Sequence, residues 1–184
     1  MNQTENLAGR NRGMKRIVTV KLTTTALLMA VNIVFSSFGV PVPGGHLYLN
    51  DIIIVLAALL LDPFCAFMVG GVGAFIGDML FYPAPMFVSL AVHGIQAVVI
   101  SVIFHKTLKH HPRQATVIGA ILGAVIMVVG YTLGRAYVYS TPAYAVLKLP
   151  FQILQAGVGA VVGPLLYWKA GLGKLFLKMM PPMN

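Results

Sequence analysis

The chain has 184 residues, 58% of them hydrophobic and 9% charged, with a mean hydropathy of +0.86 and a formal charge of +9. Soluble domains carry about 25% charged residues, so this composition excludes an ordinary soluble domain and points to an integral membrane protein with no room for a separate catalytic domain. The single cysteine, Cys65, lies in an apolar run, which excludes an intrachain disulfide and reads as a buried, inert thiol.

In chain order, apolar segments run from Ile17 to Phe38, Leu49 to Leu61, Phe64 to Phe81, Met86 to Phe104, Ala115 to Tyr137 and Ala145 to Trp168. A helix needs about 20 mostly apolar residues to span the hydrocarbon. Five segments approach that length, and the second is short. Leu49 to Phe81 can also be read as one kinked span, but Asp62-Pro63 argues for a break, because Asp suits an N-cap and Pro the first helical position. The first ten residues lack the apolar core of a signal peptide, so the first segment is expected to remain as a helix.

Charge placement favours six crossings over five. Arg10, Arg12, Lys15, Arg16 and Lys21 precede or open the first segment, Lys106, Lys109 and Arg113 lie between the fourth and fifth, and Lys169, Lys174 and Lys178 follow the sixth. Six spans put all three clusters on one side, as the positive-inside rule expects. The expected architecture is therefore an all-α, polytopic six-helix bundle with both termini cytoplasmic. Residues 1–16 form a basic N-terminal tail, 17–168 the membrane domain and 169–184 a C-terminal tail. The positive charge is topological, with anionic lipid as its partner and no nucleic acid implied.

Between the first two segments, GVPVPGGHLYLN contains prolines and glycines that forbid a regular helix, yet Leu47, Tyr48 and Leu49 are too apolar for a purely solvated loop. It reads as a lid on the outer end of the bundle. Tyr48, Tyr82, Tyr137 and Trp168 suit the aromatic belts at the membrane interfaces. Asp51, beside Asn50 where the lid enters the second helix, reads as a cap or a lid latch.

An ionisable group at the bilayer centre costs roughly 2.5 to 3.5 kcal/mol, so such groups face protein or a hydrated cavity. Ser89, His93 and Gln96 have helical i, i+4, i+7 spacing, as do Lys148, Gln152 and Gln155. Tyr131 and Arg135 share a face of the fifth helix, and Asp78 lies near the outer end of the third. These groups sit at similar depths, so they are positioned to line one outward-facing pocket. Alternatively, His93 and Gln96 hydrogen-bond neighbouring helices, Asp78 pairs with Arg135, and Lys148 snorkels outward.

The polar groups match no familiar catalyst. There is no His-Glu-x-x-His metal signature, no Gly-x-Ser-x-Gly elbow and no Walker loop, so neither an enzyme nor a metal site is expected. Small residues form a second pattern: Ala26 and Ala30 in the first helix, and glycines at 70, 71, 73, 77, 157, 159 and 163, all permitting close helix approach.

The Ala-x-x-x-Ala pair, GGHLYLNDIIIVLAALLLDP, GGVGAFIGDML and SLAVHGIQAVVISVIF together resemble the membrane-embedded S components of energy-coupling factor (ECF) vitamin transporters. The resemblance is strongest over Lys21 to about Phe104, and points to the branch associated with hydroxymethylpyrimidine and pyridoxine. It implies a substrate-binding subunit that docks on a transmembrane coupling subunit carrying two ATPase subunits. ATP and Mg would be used by those partners, with no cofactor in this chain. It further implies a vitamin pocket beneath the first loop, contact of Ala26 and Ala30 with the coupling subunit, and toppling of the S component to deliver its cargo. The candidate substrate-binding residues are His46, Tyr48, Asn50, Asp78, His93, Gln96, Tyr131, Arg135, Lys148, Gln152 and Gln155. Where that branch commonly shows Lys-Gly-x-Glu, this chain has His93-Gly94-Ile95-Gln96, which removes one charge of each sign. Pantothenate, a corrinoid, a proton-coupled carrier working through Asp78 or His93, and a membrane assembly factor without a ligand are the alternatives.

Overall fold

A computed structural model describes the backbone of residues 3–180 and the side chains of residues 13–180. The side chains of Arg10 and Arg12, and the tail residues 181–184, lie outside the described residues. The helices are α1 (Gln3–Ser37), α2 (Asn50–Leu60), α3 (Pro63–Phe81), α4 (Met86–Thr107), α5 (Pro112–Tyr139), α6 (Pro142–Trp168) and α7 (Leu172–Met179). Between α1 and α2 runs a hairpin of two short strands, β1 (Val40–Val42) and β2 (Gly45–Leu47).

Five helices, α1 from Gly13 onward and α3 to α6, are long and apolar enough to cross a membrane. Helix α2 is different. Its 11 residues rise about 16 Å, half the hydrocarbon thickness, and nearly all of them are buried among α1, α4 and α6. From Ile52 to Leu60 its sequence is apolar all round, that of an enclosed helix with no lipid-facing stripe. Leu61 leaves the helix in an extended conformation, and Asp62 then caps α3 by accepting from the Cys65 N–H, with Pro63 in the first turn. The chain therefore breaks at Asp62-Pro63 and does not form one long span.

Helical structure extends beyond the apolar segments at both ends. Helix α1 begins at Gln3, so most of the basic segment before Ile17 is helical. After Trp168 the chain also forms α7, whose Phe176 is buried against a cluster from α2.

Glycines set the helix spacing. On α5, a Cβ added at Gly134, Gly130 or Gly123 would lie 2.5–2.6 Å from Val88, Val92 or Ile100 of α4, so the glycines form a groove that receives one ridge of α4. Gly70 and Gly71 of α3 meet the α4 backbone at His93 and Leu90, and Gly73 and Gly77 meet Asn32 and Ser36 of α1. The third helix carries a π-turn at Met68–Val72, and Asn32 donates to the Val69 carbonyl there at 2.8 Å, satisfying the irregular backbone from a neighbouring helix.

The ends of the bundle differ. At one end Lys21, midway along α1, bridges to Asp62 at the start of α3 at 2.9 Å, and the Trp168 indole at the end of α6 donates to Thr116 in the first turns of α5 at 3.2 Å. Partial burial pushes the Asp62 carboxyl up, but the Lys21 ammonium and the Cys65 amide outweigh it and leave it below the usual range. At the other end sit the hairpin, Tyr82, Tyr139 and Lys148.

Replacement of Gly70 by Ala sets a methyl 2.9 Å from the His93 carbonyl, whereas at Gly157 nothing lies within 4 Å. Gly70→Ala is expected to lower stability by about 1–3 kcal/mol, and Gly157→Ala to leave it unchanged or raise it by up to about 1 kcal/mol. Thermal unfolding in detergent measures both.

Candidate functional site

The hairpin is the first element of the site. Pro43 and Gly44 occupy its turn, and Gly44 has φ +81°, the left-handed conformation that a Pro-Gly turn requires of its second residue. Gly44 and Gly45 also lie so close to α6 and α5 that a Cβ would meet Lys148 at 2.9 Å or Arg135 at 3.1 Å. Two cations anchor the backbone here. Arg135 Nη1 donates to the Gly44 carbonyl at 2.6 Å, and Lys148 Nζ to the His46 carbonyl at 2.6 Å. A third tie runs from the Tyr48 N–H to Gln155 Oε1 at 3.1 Å. The loop expected as a lid is thus a regular hairpin bonded to two helices.

Both polar stripes face inward. Ser89, His93 and Gln96 on α4 are buried, and so are Lys148, Gln152 and Gln155 on α6. A π-turn at Arg135–Tyr139 brings Arg135 and Tyr139 onto the same cavity wall, with the guanidinium 5.2 Å from the Tyr139 ring centre. Beneath the hairpin a cavity of about 30 Å³ is lined by His46, Tyr48, Asn50, Asp78, His93, Tyr131, Arg135, Lys148, Gln152 and Gln155. Of the eleven residues singled out in the sequence, Gln96 alone is absent from the wall. It lies behind His93, where its Oε1 accepts at the ring's Nδ1 at 2.8 Å. The cavity has room for about one or two waters, so the hairpin is closed and a larger occupant requires it to move.

Several pairings differ from expectation. Asp78 and Arg135 form no ion pair among the described residues; Ser89 donates to Asp78 and also bonds Tyr131, while Arg135 is committed to the hairpin. Lys148 does not snorkel outward but turns into the protein, with its side chain buried. Tyr48 and Tyr82, expected in the interfacial belt, line the cavity, and burial, reinforced by Asp78, pushes the Tyr48 hydroxyl up to about 12, keeping it a neutral donor. Tyr137 remains largely exposed, as a belt residue should be. Asp51 neither caps α2 nor latches the lid directly: its carboxylate accepts from Gln96 Nε2 at 3.0 Å and Gln155 Nε2 at 2.7 Å.

Residues missed in the sequence are Asp51, Tyr82, Met127 and Tyr139. For Tyr139 a signal existed, since it lies four residues after Arg135. For Asp51 none did, because its partners are 45 and 104 residues away.

The wall is not fully satisfied. Six buried side-chain nitrogen or oxygen atoms among the described residues have no hydrogen-bond partner, and four of them, His46 Nδ1, Asn50 Oδ1, Arg135 Nε and Tyr139 Oη, belong to cavity residues. Such a concentration of unpaired polar atoms at one place marks a site built for an additional hydrogen-bonding partner. A bond from a charged donor contributes about 1.5–3 kcal/mol. Arg135→Leu or Lys148→Met is therefore expected to speed chymotryptic cleavage after Leu47 or Tyr48 by about tenfold or more, measured on the purified protein at equal protease.

The first helix presents a separate feature: Ala26 and Ala30 are exposed on one face, away from the cavity. The family described as the ECF-type riboflavin transporter, S component, matches residues 16–171. A protein of Pyrococcus woesei, described as an uncharacterized protein in the gap 3' region, is 32% identical over 156 residues, covering 84% of this chain and 99% of that one. That family is one of transporter subunits and not of enzymes, and membership carries with it association with ECF transmembrane and ATPase modules and a small-molecule vitamin substrate. The chain is an integral membrane protein and belongs to the S components of ECF-type transporters.

Proposed function

We propose that this S component binds a planar heterocyclic vitamin in the cavity beneath the hairpin, receives it from outside the cell, and delivers it inward with a transmembrane coupling subunit and two ATPase subunits. The observation that carries this reading is the gathering of unpartnered buried polar atoms around one cavity. In this reading the chain crosses the membrane six times, with α2 as a short, protein-enclosed crossing and both termini in the cytoplasm. Support comes from the pairs Lys21–Asp62 and Trp168–Thr116, since the three basic clusters lie near these residues in the sequence.

His93, Asn50, Gln152 and Gln155 would meet ring nitrogens and hydroxyls, and Tyr131 or Tyr48 would stack on the ring. Gln152 is well suited, because its amide has only a long 3.4 Å bond to the Met127 carbonyl. Asp78, Arg135 and Lys148 would complement charge, and His46 would close over the ligand. The exposed Ala26 and Ala30 would face the coupling subunit, where small side chains permit close helix approach.

Riboflavin is the first candidate, because it is the vitamin in the description of the matching family. The second is pyridoxine or hydroxymethylpyrimidine, which the tightness of the closed cavity favours, since a smaller ring demands less displacement of the hairpin.

Equilibrium binding of riboflavin, pyridoxine and hydroxymethylpyrimidine to the purified chain tests this directly. Loss of one hydrogen bond to a ligand costs about 1–3 kcal/mol, so His93→Ala and Gln152→Ala are each expected to weaken binding about tenfold. Unchanged affinity in both variants rejects the cavity as the site. Uptake into liposomes should require the ATPase module and internal ATP; uptake on a pH gradient alone would identify a proton-coupled carrier instead.

A further inference from the structure

The most buried charged group at this end of the bundle is not on the cavity wall. Asp51 is 1% exposed, held at the start of α2 against Gly159 of α6, where a Cβ would sit 2.5 Å from its own Cβ. Each carboxylate oxygen receives one side-chain amide, Oδ1 from Gln96 and Oδ2 from Gln155. A carboxylate only accepts hydrogen bonds, whereas a glutamine amide has one donating and one accepting end. Asp51 therefore decides which way both amides point.

The consequences propagate in two directions. With its Nε2 committed to Asp51, Gln155 can offer only Oε1 to its other neighbour, and that oxygen accepts the Tyr48 N–H of the hairpin. With its Nε2 likewise committed, Gln96 turns Oε1 toward His93 Nδ1 at 2.8 Å. An acceptor there requires Nδ1 to carry the proton. His93 Nδ1 is itself 4.0 Å from Asp51 Oδ1, beyond hydrogen-bond reach, so the carboxylate acts on the ring through the amide between them. A neutral imidazole with its proton on Nδ1 has a lone pair on Nε2. His93 lines the cavity and Gln96 does not, so the Nε2 edge is the one left to face it.

We propose that Asp51 is a positioning residue that sets the hydrogen-bond polarity of the cavity: it fixes His93 as the Nδ1–H tautomer, presents the Nε2 lone pair to the ligand, and through Gln155 ties the same setting to the closed hairpin. The bound molecule must then offer His93 an N–H or O–H donor, such as an imide or a hydroxyl, and an aprotic ring edge at that place meets lone pair against lone pair. The proposal rests on the reading of the cavity as a ligand site, but the tautomer is a property of the protein before any ligand arrives.

Nitrogen-15 spectra of the full chain labelled at histidine, recorded without ligand at pH 8, read the tautomer, with His93→Gln identifying the resonances. The expected result is a pyrrole-type shift for Nδ1 and a pyridine-type shift for Nε2. The opposite assignment, or a doubly protonated ring, overturns the proposal. In Asp51→Asn the new amide can accept from only one glutamine, so His93 is expected to lose its single tautomer and the hairpin to be cleaved faster by chymotrypsin. A folded Asp51→Asn with unchanged His93 shifts overturns the role of Asp51. Should that variant fail to fold, Gln96→Leu removes the acceptor at Nδ1 and is expected to release the tautomer, an unchanged spectrum again refuting the scheme. Since no vitamin is present, a fixed tautomer in a protein that binds no vitamin would remove the functional reading and leave the tautomer assignment standing.

Discussion

Hydrocarbon offers no hydrogen bonds, so each polar group in a spanning helix must find its partner within the protein or face enclosed water. The buried polar residues of this chain answer that constraint in two ways. One group closes on itself and on backbone: Ser101 on the Leu61 carbonyl, and Asp51 between Gln96 and Gln155. Those bonds fasten helices to one another. In the second group, His46, Asn50, Arg135 and Tyr139 line the cavity and each keeps one buried atom without a partner. The first group holds the wall still so that the second can be used.

Close helix approach makes this arrangement possible. Gly159 leaves the space that Asp51 fills, so the carboxylate can reach across from α2 to an amide of α6. Gly130 and Gly134 bring α5 against α4 on either side of Tyr131, whose ring lies 5.0 Å from that of His93. The hairpin then closes the open end, held by Arg135 and Lys148 through its carbonyls. Because those bonds go to backbone, they set the position of the hairpin whatever its side chains are, and a ligand that moves it must compete with two charged donors.

Much of this was legible in the sequence because it depends on local spacing. Helical periodicity placed Ser89, His93 and Gln96 on one face, and Lys148, Gln152 and Gln155 on another, and both faces are buried. The break at Asp62-Pro63 follows from capping chemistry that acts over three residues. What escaped depends on distant partners. Asp51 reads equally as a helix cap or a lid latch because its amide partners are far along the chain, and an Asp78–Arg135 ion pair stands as the alternative to a shared pocket because opposite charge is the only criterion the sequence offers. The tyrosines at 48 and 82 have the chemistry of an interfacial belt and of a binding wall alike, and only the fold separates them from Tyr137. The identity of the vitamin was not legible, because it depends on the shape of the cavity after the hairpin opens.

On this reading, polar side chains from separate helices line one ligand cavity closed by the hairpin. Amide hydrogen exchange of the full chain, with and without a vitamin that binds it, tests this most directly. Ligand-dependent protection is expected to concentrate in residues 40–50 and 148–155, where the hairpin and α6 meet. Protection confined to lipid-facing surfaces, with those two segments unchanged at saturating ligand, would contradict it.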